Sequence, residues 1–172
     1  MKRKPLIYLS LGTNLGNRQL NLNKSMELIE MKVGKIIKQS SVYQTKAWGV
    51  KDQPDFLNMV LEVETKFSPQ FVLTTILSIE TEMGRIRERK WYTRLIDIDL
   101  LFYEDLIIKE SNLIVPHPYL QDRNFVLAPL MEIAPSLVHP VIKKTIEQLV
   151  EECRDTLVVE KIDFTYLVKS QK

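Results

Sequence analysis

The spacing of hydrophobic and polar residues along this chain switches between the period of a strand and the period of a helix. Segments with a period of two, or with nearly continuous apolar side chains, predict strands over residues 6–12, 36–45, 56–65 and 94–103. Apolar stripes with a helical period predict two helices, one with Leu22, Met26, Ile29 and Val33, the other with Val72, Ile76, Ile79 and Met83. The chain therefore begins strand, helix, strand, strand, helix, strand.

Local signals at the ends of these segments indicate where the helices begin and end. The first helix is predicted from about Asn17 to Gly34. Ser68 followed by Pro69 is typical of a helix start, and Gly84 is typical of a helix end. This order of elements is that of an α+β, ferredoxin-like βαββαβ sandwich, whose antiparallel sheet has its helices on one face. The other face is expected to be free for an active site.

The pattern after residue 103 predicts additions to this core. Residues 115–130 contain three prolines, which indicate a loop followed by a short apolar helix from about Phe125. Thr145 and Gln148 have the spacing of a capping box at the start of a terminal helix, and a further strand is predicted soon after it. We expect one domain over residues 1–172, with a core at about 6–140 and the C-terminal helix and strand at about 143–166.

Composition and charge narrow the class of protein. The 172 residues are 45% hydrophobic and 27% charged, as in ordinary globular proteins, and the net charge of +2 does not by itself indicate nucleic acid. A single cysteine excludes a disulfide framework and fits a reducing compartment. The apolar run after the basic N-terminus is too short for a signal peptide, and no stretch has membrane-spanning length. We expect a cytoplasmic protein that binds neither membrane nor nucleic acid.

Two carboxylates interrupt the fourth predicted strand. Asp97 and Asp99 are two residues apart, so a strand places both side chains on one face and buries Ile96, Ile98 and Leu100 on the other. Adjacent carboxylates repel each other, and a hard divalent cation such as Mg²⁺ would offset that repulsion. The alternative is an edge strand whose aspartates are simply solvated.

A basic segment comes directly before this acid pair. Its cations are Arg85, Arg87, Arg89, Lys90 and Arg94. Taken alone, such a segment is more often a solvated loop than a phosphate clamp. Next to a metal-binding strand it indicates a polyphosphate ligand, because guanidinium groups and Mg²⁺ both bind phosphate oxygens.

Five short motifs occur in order along the chain. They are G-T-N at 12–14, D-Q-P-D-F-L-N at 52–58, E-x-x-x-G-R-x-R at 80–87, R-x-I-D-I-D at 94–99 and P-H-P-x-x-x-x-R-x-F at 116–125. Together they resemble the 6-hydroxymethyl-7,8-dihydropterin pyrophosphokinase family of folate biosynthesis. The resemblance implies the same ferredoxin-like fold, and transfer of the β,γ-diphosphate of ATP to the hydroxymethyl group of the pterin with release of AMP.

The resemblance also implies a role for each matched residue. Asp97 and Asp99 would hold two Mg²⁺ ions that bridge the triphosphate, and Arg85 and Arg94 would contact the phosphates and assist transfer. The other matched residues would form two pockets: Glu80, Arg87, His117 and Arg123 around ATP, and Thr45, Phe56, Asn58, Trp91 and Phe125 around the pterin. We expect a monomer whose partners are these two small molecules.

The chain departs from the family pattern just before the acid strand. Residues 91–94 are Trp-Tyr-Thr-Arg, where the family often has Trp-Gly-Pro-Arg. Residues 84–93 are predicted to form a lid that closes over bound substrates, and this departure would alter its motion. Residue type alone also allows structural roles, with His117 in a surface turn and Phe56 or Trp91 in the core.

Two other classes of function are compatible with parts of the pattern. Ferredoxin-like sheets also bind RNA, and paired carboxylates also occur in two-metal nucleotidyl transferases. An acid pair on the open face repels a phosphate backbone, and the aromatic string typical of RNA-binding sheets is missing. The nucleotide product separates the enzymes: AMP indicates diphosphate transfer, ADP a simple kinase and pyrophosphate a nucleotidyl transferase.

Overall fold

The predicted βαββαβ order is confirmed in a computed structural model of the chain, which describes residues 3–46, 52–84 and 95–164. The elements in those ranges are β1 (Leu6–Thr13), α1 (Arg18–Lys32), β2 (Gly34–Gln39), β3 (Val42–Thr45), β4 (Phe56–Thr65), α2 (Pro69–Glu82), β5 (Asp97–Tyr103), β6 (Ile108–Lys109), β7 (Ile114–Val115), a 3-10 turn (Leu120–Asp122), α3 (Asn124–Ile133), α4 (Ile146–Glu152) and β8 (Val159–Ile162). Ser68 caps α2 as predicted, and Asn17 caps α1; the side chain of each accepts a hydrogen bond from the first helical turn.

The main sheet is antiparallel and sets the acid strand beside β1. Its order is β5-β1-β4-β3-β8, with β2 also paired to β4. On β1, Gly12 lies between Asn58 of β4 and Asp97 of β5, and Ser10 lies opposite Asp99. The register therefore places the acid pair and Asn58 at the same end of the sheet.

The strand predicted over residues 36–45 is two strands, β2 and β3, that both pair with β4. At the break, the backbone N–H of Ser40 donates to the Val60 carbonyl, and the N–H of Val60 donates to the Ser40 hydroxyl, both at 2.9 Å. Gly34 begins β2, because α1 already ends at Lys32. A β-carbon at Gly34 would lie 2.1 Å from a backbone oxygen of the neighbouring strand, so only glycine fits there.

A hydrophobic cluster lies on each face of the sheet. The first cluster packs α1 and α2 onto the sheet and includes every second residue of segment 57–63, as the alternation in β4 predicts. The second cluster packs α3 and α4 against Tyr8, Val60 and Phe102 on the other face. The sequence led us to expect that this whole face would be free, but α3 and α4 cover part of it. Among the described residues, a cavity lies on this face at the end that carries Asn58 and the acid pair.

An extra residue in β5 allows this strand to contribute to both clusters. The pairing with β1 passes from Leu9–Leu100 to Tyr8–Phe102, which leaves Leu101 unmatched in the register. Leu101 and Phe102 consequently both belong to the second cluster, whereas Leu100 belongs to the first. Beyond the bulge the alternation has the opposite phase, so Leu100 and Phe102 lie on opposite faces although they are two residues apart. The two aspartates lie before it and keep their common face.

The C-terminal elements confirm the predicted additions to the core. In the capping box of α4, the N–H of Thr145 donates to Gln148 Oε1 at 2.9 Å and the N–H of Gln148 donates to Thr145 Oγ1 at 3.2 Å. β8 then extends the main sheet by pairing with β3, with Val159 opposite Thr45. None of the helices in the three described ranges is long and apolar enough to cross a bilayer.

A candidate active site at the open end of the sheet

A cavity of about 510 Å³ lies on the sheet face that α3 and α4 leave partly open. Seven of its lining residues were predicted as site residues: Thr45, Phe56, Asn58, Asp97, Asp99, Arg123 and Phe125. Five more were not predicted: Ser10, Gly12, Lys46, Asp155 and Leu157. The fold thus gathers residues from four of the five sequence motifs, and from the C-terminal segment, around one space.

The acid pair lines this cavity from β5. Asp97 is half-buried and Asp99 is exposed, while Ile96, Ile98 and Leu100 are buried on the opposite side, as the period of two predicts. Among the strands of the described residues, β5 is the last one at its edge of the main sheet. Both carboxylates are therefore carried by a strand whose backbone is held by β1, and they face the space where a ligand would bind.

The oxygen donors of this pair suit a hard divalent cation. Within the three described ranges, no cluster of three or more His, Cys, Asp or Glu side chains could hold a metal ion by itself. Two carboxylates leave most of the octahedral shell of Mg²⁺ to water and to ligand oxygens, which is how this ion usually binds together with phosphates. The donor set fits a metal that is bound jointly by the protein and a polyphosphate.

Asn58, on β4, presents an amide of fixed orientation to the cavity, in addition to the carboxylates of β5. The residue is 4% exposed, and its Nδ2 donates to the Thr45 hydroxyl at 3.0 Å. Gly12 lies beside it, and a β-carbon there would be 3.2 Å from Asn58 Oδ1. The missing side chain at Gly12 therefore makes room for the amide. An amide can donate and accept at once, which suits the polar edge of a heterocycle.

Two half-buried aromatic rings line the same part of the cavity from different elements. Phe56 begins β4, and Phe125 lies in the first turn of α3. The guanidinium of Arg123 lies 5.8 Å from the centre of the Phe125 ring and 5.3 Å from that of Tyr119. Rings of this kind can stack on a flat ligand, and the stacked arginine adds a positive charge next to the acid pair.

His117 lies near this charge without lining the cavity. Burial lowers the pKa of His117 below its ordinary value; the carboxylate of Asp99 opposes this shift and the guanidinium of Arg123 adds to it. The Nδ1 atom of His117 accepts a hydrogen bond from the backbone N–H of Tyr119 at 3.2 Å. Because Nδ1 is an acceptor, the proton of the neutral imidazole is on Nε2, which makes that atom a hydrogen-bond donor.

The other predicted site residues are not brought to the cavity within the described ranges. Glu80 is buried on α2, and its Oε1 accepts a hydrogen bond from the backbone N–H of Ile98 at 3.0 Å. Its predicted role at ATP stays a prediction. Arg85, Arg87, Trp91 and Arg94 lie outside the described residues, as does the predicted lid apart from Gly84.

The last residue of β1 and the first residue of α1 bond to the segments that precede the two strands carrying the site. The Thr13 hydroxyl donates to the carbonyl of Leu95, two residues before the acid pair. The Arg18 guanidinium donates to the carbonyl of Asp55 at 2.7 Å, immediately before Phe56. These two bonds therefore help to set the position of the acid pair relative to the aromatic ring.

Some of the unpredicted lining residues could have been inferred from the sequence, and others could not. Ser10 and Gly12 share a face of β1 because they are two residues apart, and Lys46 directly follows Thr45. Knowledge of the strand pairing would have indicated all three. Asp155 and Leu157 carry no local signal, because only the tertiary fold brings the C-terminal segment to the cavity.

Comparison with known proteins gives consistent matches. Residues 8–135 match the family described as 7,8-dihydro-6-hydroxymethylpterin-pyrophosphokinase (HPPK). The chain is 42% identical, over 85% of its length and 91% of the relative's, to a 2-amino-4-hydroxy-6-hydroxymethyldihydropteridine pyrophosphokinase of Aquifex aeolicus (strain VF5). It is 39% identical to the folic acid synthesis protein fol1 of Pneumocystis carinii, over 95% of this chain and 22% of that protein.

A solved structure supports the fold. The crystal structure of wild-type Plasmodium falciparum HPPK-DHPS matches with a TM-score of 0.72 at 21% identity, over 88% of this chain and 45% of that one. This chain therefore spans less than half of the Plasmodium chain and less than a quarter of the Pneumocystis protein. At 21% identity, this structural likeness bears on the fold and not on the function.

Proposed function

We propose a reaction for this chain on the premise that it belongs to the 7,8-dihydro-6-hydroxymethylpterin-pyrophosphokinase family, whose members are pyrophosphokinases of folate biosynthesis with ATP as co-substrate. In this reaction the chain transfers the β,γ-diphosphate of ATP to the hydroxymethyl group of 6-hydroxymethyl-7,8-dihydropterin. The products are the pterin diphosphate and AMP. One observation carries this proposal: a single cavity is lined by a carboxylate pair suited to a metal–polyphosphate and by an amide with two aromatic rings suited to a flat heterocycle.

Asp97 and Asp99 would bind Mg²⁺ at the triphosphate end of the cavity, and we propose two ions there. Bound Mg²⁺ neutralises charge on the phosphate oxygens and aligns the triphosphate. The contribution of the chain is to keep both carboxylates on one face of β5, whose backbone is paired with β1 and bonded to Glu80 at Ile98. This rigidity limits the reorganisation needed when the charged ligand binds.

Cationic and neutral donors would bind the phosphates. Arg123 lines the cavity, and the neutral His117 can donate from Nε2. Arg85 and Arg94 are proposed to contact the transferred diphosphate and to offset the charge that develops during transfer. Glu80 and Arg87 are proposed to belong to the ATP pocket. Glu80 lies on the side of β5 that faces α2, where its Oε1 accepts a hydrogen bond from the N–H of Ile98.

The pterin would bind at Asn58. The amide, oriented by Thr45, can pair with donors and acceptors on the ring edge, while Phe56 and Phe125 contact the ring faces. Trp91 is proposed to cover the bound pterin. We further propose that residues 1–172 act as one domain and as a monomer.

An assay with ATP, Mg²⁺ and the reduced hydroxymethylpterin, with the nucleotide products resolved, tests the proposed reaction. We expect AMP and the pterin diphosphate in equal amounts. ADP would instead indicate a simple kinase, and pyrophosphate a nucleotidyl transferase. Absence of turnover, together with retained ligand binding, would reduce the chain to a binding module.

A further inference from the structure

Two residues of the C-terminal segment line the cavity although they lie outside residues 8–135, which match the family. We propose that this segment, residues 153–162 and here called the C-terminal arm, completes the substrate site. In particular, Asp155 is a positioning residue that holds Arg123 and Phe125 at the cavity, and Leu157 forms part of the wall against the heterocycle. This inference rests on the proposed function for the identity of the two ligands.

Helix α3 begins without a capping side chain of its own. Arg123 occupies the N-cap position and makes no capping hydrogen bond, although the first backbone N–H groups of a helix need acceptors. Asp155 supplies one of them, because its Oδ2 accepts from the N–H of Asn124 at 2.9 Å. In return, Asn124 Nδ2 donates to the backbone carbonyl of Asp155 at 3.1 Å. The carboxylate also has the favourable sign of charge for a helix N-terminus.

The contacts at Asn124 act on both of its neighbours in the cavity wall. Arg123 and Phe125 flank it in sequence and both line the cavity. Their backbone positions are set by the first turn of α3, in which the N–H of Asn124 donates to Asp155. Loss of a cap of this type lets the first turn fray. Asp155 therefore acts on the ligands through Arg123 and Phe125.

The second carboxylate oxygen of Asp155 orients the rest of the arm. Asp155 Oδ1 accepts a hydrogen bond from the N–H of Leu157 at 3.0 Å, which closes a turn within the arm and presents Leu157 to the cavity. Both oxygens of one carboxylate thus have defined partners, one on α3 and one on the arm itself. A single side chain couples the geometry of these two parts of the wall.

The far end of the arm is held by the sheet. Val159 of β8 pairs with Thr45 of β3, the residue that orients the Asn58 amide. The arm therefore runs from the first turn of α3 to the strand next to Asn58, and Leu157 lies between these two attachments. An aliphatic side chain at that place suits contact with the apolar face of a heterocycle and not with a phosphate.

Separate titrations of the two ligands test this role without depending on turnover. The ligands are a non-hydrolysable ATP analogue with Mg²⁺, and the reduced hydroxymethylpterin. We expect Asp155→Ala to weaken both by about tenfold, the size expected for loss of a helix cap. Asp155→Asn, which keeps one acceptor oxygen, should give a smaller loss. Leu157→Ala should weaken the pterin alone. Glu160→Gln, which changes an exposed carboxylate in the same arm, should change neither.

The dissociation constants are measured well below each melting temperature, so a purely structural role would leave them unchanged. Unchanged affinity for both ligands in folded Asp155→Ala overturns the inference, as does equal weakening by Glu160→Gln. If Asp155→Ala does not fold, Asp155→Asn and Leu157→Ala decide in the same way. Formation of AMP by the wild-type protein is scored separately, so a failure of the proposed reaction is distinguished from a failure of this inference.

Discussion

At the scale of single residues, the site depends on groups whose orientation is set by one or two neighbours. Asn58 is the clearest case, because its amide is bonded to Thr45 and lies against a glycine. Its position two residues into a strand, on the face opposite the core stripe, could be predicted from the alternation alone. The contact with Thr45 could not, because it depends on which strands pair.

We expect Asn58→Ala to weaken binding of the pterin by about 5- to 150-fold and to change the affinity for an ATP analogue much less. The loss leaves polar groups of the ring edge unpaired in a closed pocket, which costs about 1–3 kcal/mol. Separate calorimetric titrations of the two ligands measure this difference. Asn112→Ala, which changes an exposed asparagine between β6 and β7, is the matched control. Equal weakening of both ligands would remove Asn58 from the pterin site.

We expect Asp97→Ala or Asp99→Ala to reduce turnover by a factor of a hundred or more, because a metal ligand contributes several kcal/mol of charge stabilisation in the transition state. The melting temperature should change little, since both side chains face the cavity and not a hydrophobic cluster. Turnover and thermal melting are measured on the same preparations, with Asp105→Ala as the control for an exposed aspartate. Activity near that of the wild type in either variant would contradict the metal assignment.

At the scale of secondary-structure elements, periodicity predicted most boundaries and failed where a side chain replaces a backbone partner. The predicted strand over residues 36–45 is interrupted because the hydroxyl of Ser40 accepts the hydrogen bond of the Val60 N–H. A hydrophobic pattern does not contain that information. The hydrophobic pattern also did not predict the bulge at Leu101, because the residues before and after it are all apolar.

We expect Ser40→Ala to lower the free energy of unfolding by about 1–3 kcal/mol, because it leaves the fully buried N–H of Val60 without its acceptor. Urea denaturation of the wild-type and variant proteins measures the change. Ser111→Ala, at an exposed serine, should be close to neutral. If Ser40→Ala is equally neutral, the hydroxyl does not support the junction of β2 and β3.

At the scale of the whole molecule, the fold class could be predicted because each element has a clear period and the connections follow a known order. The extent of the open face could not. The second hydrophobic cluster, built from α3, α4 and the sheet, is contributed by segments far apart in sequence. The same long-range packing brings Asp155 and Leu157 to the cavity, which is why no local motif marked them.

We expect the protein to lose stability as the pH falls from 7.5 to 5.5. Its only two histidines, His117 and His139, both have a pKa lowered by burial from the ordinary value of 6.5. Below that value the unfolded chain takes up protons before the folded protein does, so acid favours unfolding. The slope is at most about 1.4 kcal/mol per pH unit for each histidine.

Urea denaturation at pH 7.5, 6.5 and 5.5 measures this slope. His139→Asn should flatten it, because the amide oxygen can replace Nδ1 as the acceptor for the N–H groups of Val141 and Ile142 and does not titrate. A wild-type free energy of unfolding that stays constant over this range would contradict the prediction. A slope of the opposite sign would mean that the folded protein binds the protons.

The position of β5 at the end of the sheet has a consequence for self-association. A terminal strand with free backbone groups can recruit a strand from another molecule, which is a common beginning of aggregation. Here the N–H of Ile98 already donates to Glu80, and the carbonyl of Leu101 already accepts from the N–H of His117. An incoming strand would have to displace a buried carboxylate and a proline-flanked loop, so the strand that carries the acid pair is a poor template for fibre growth.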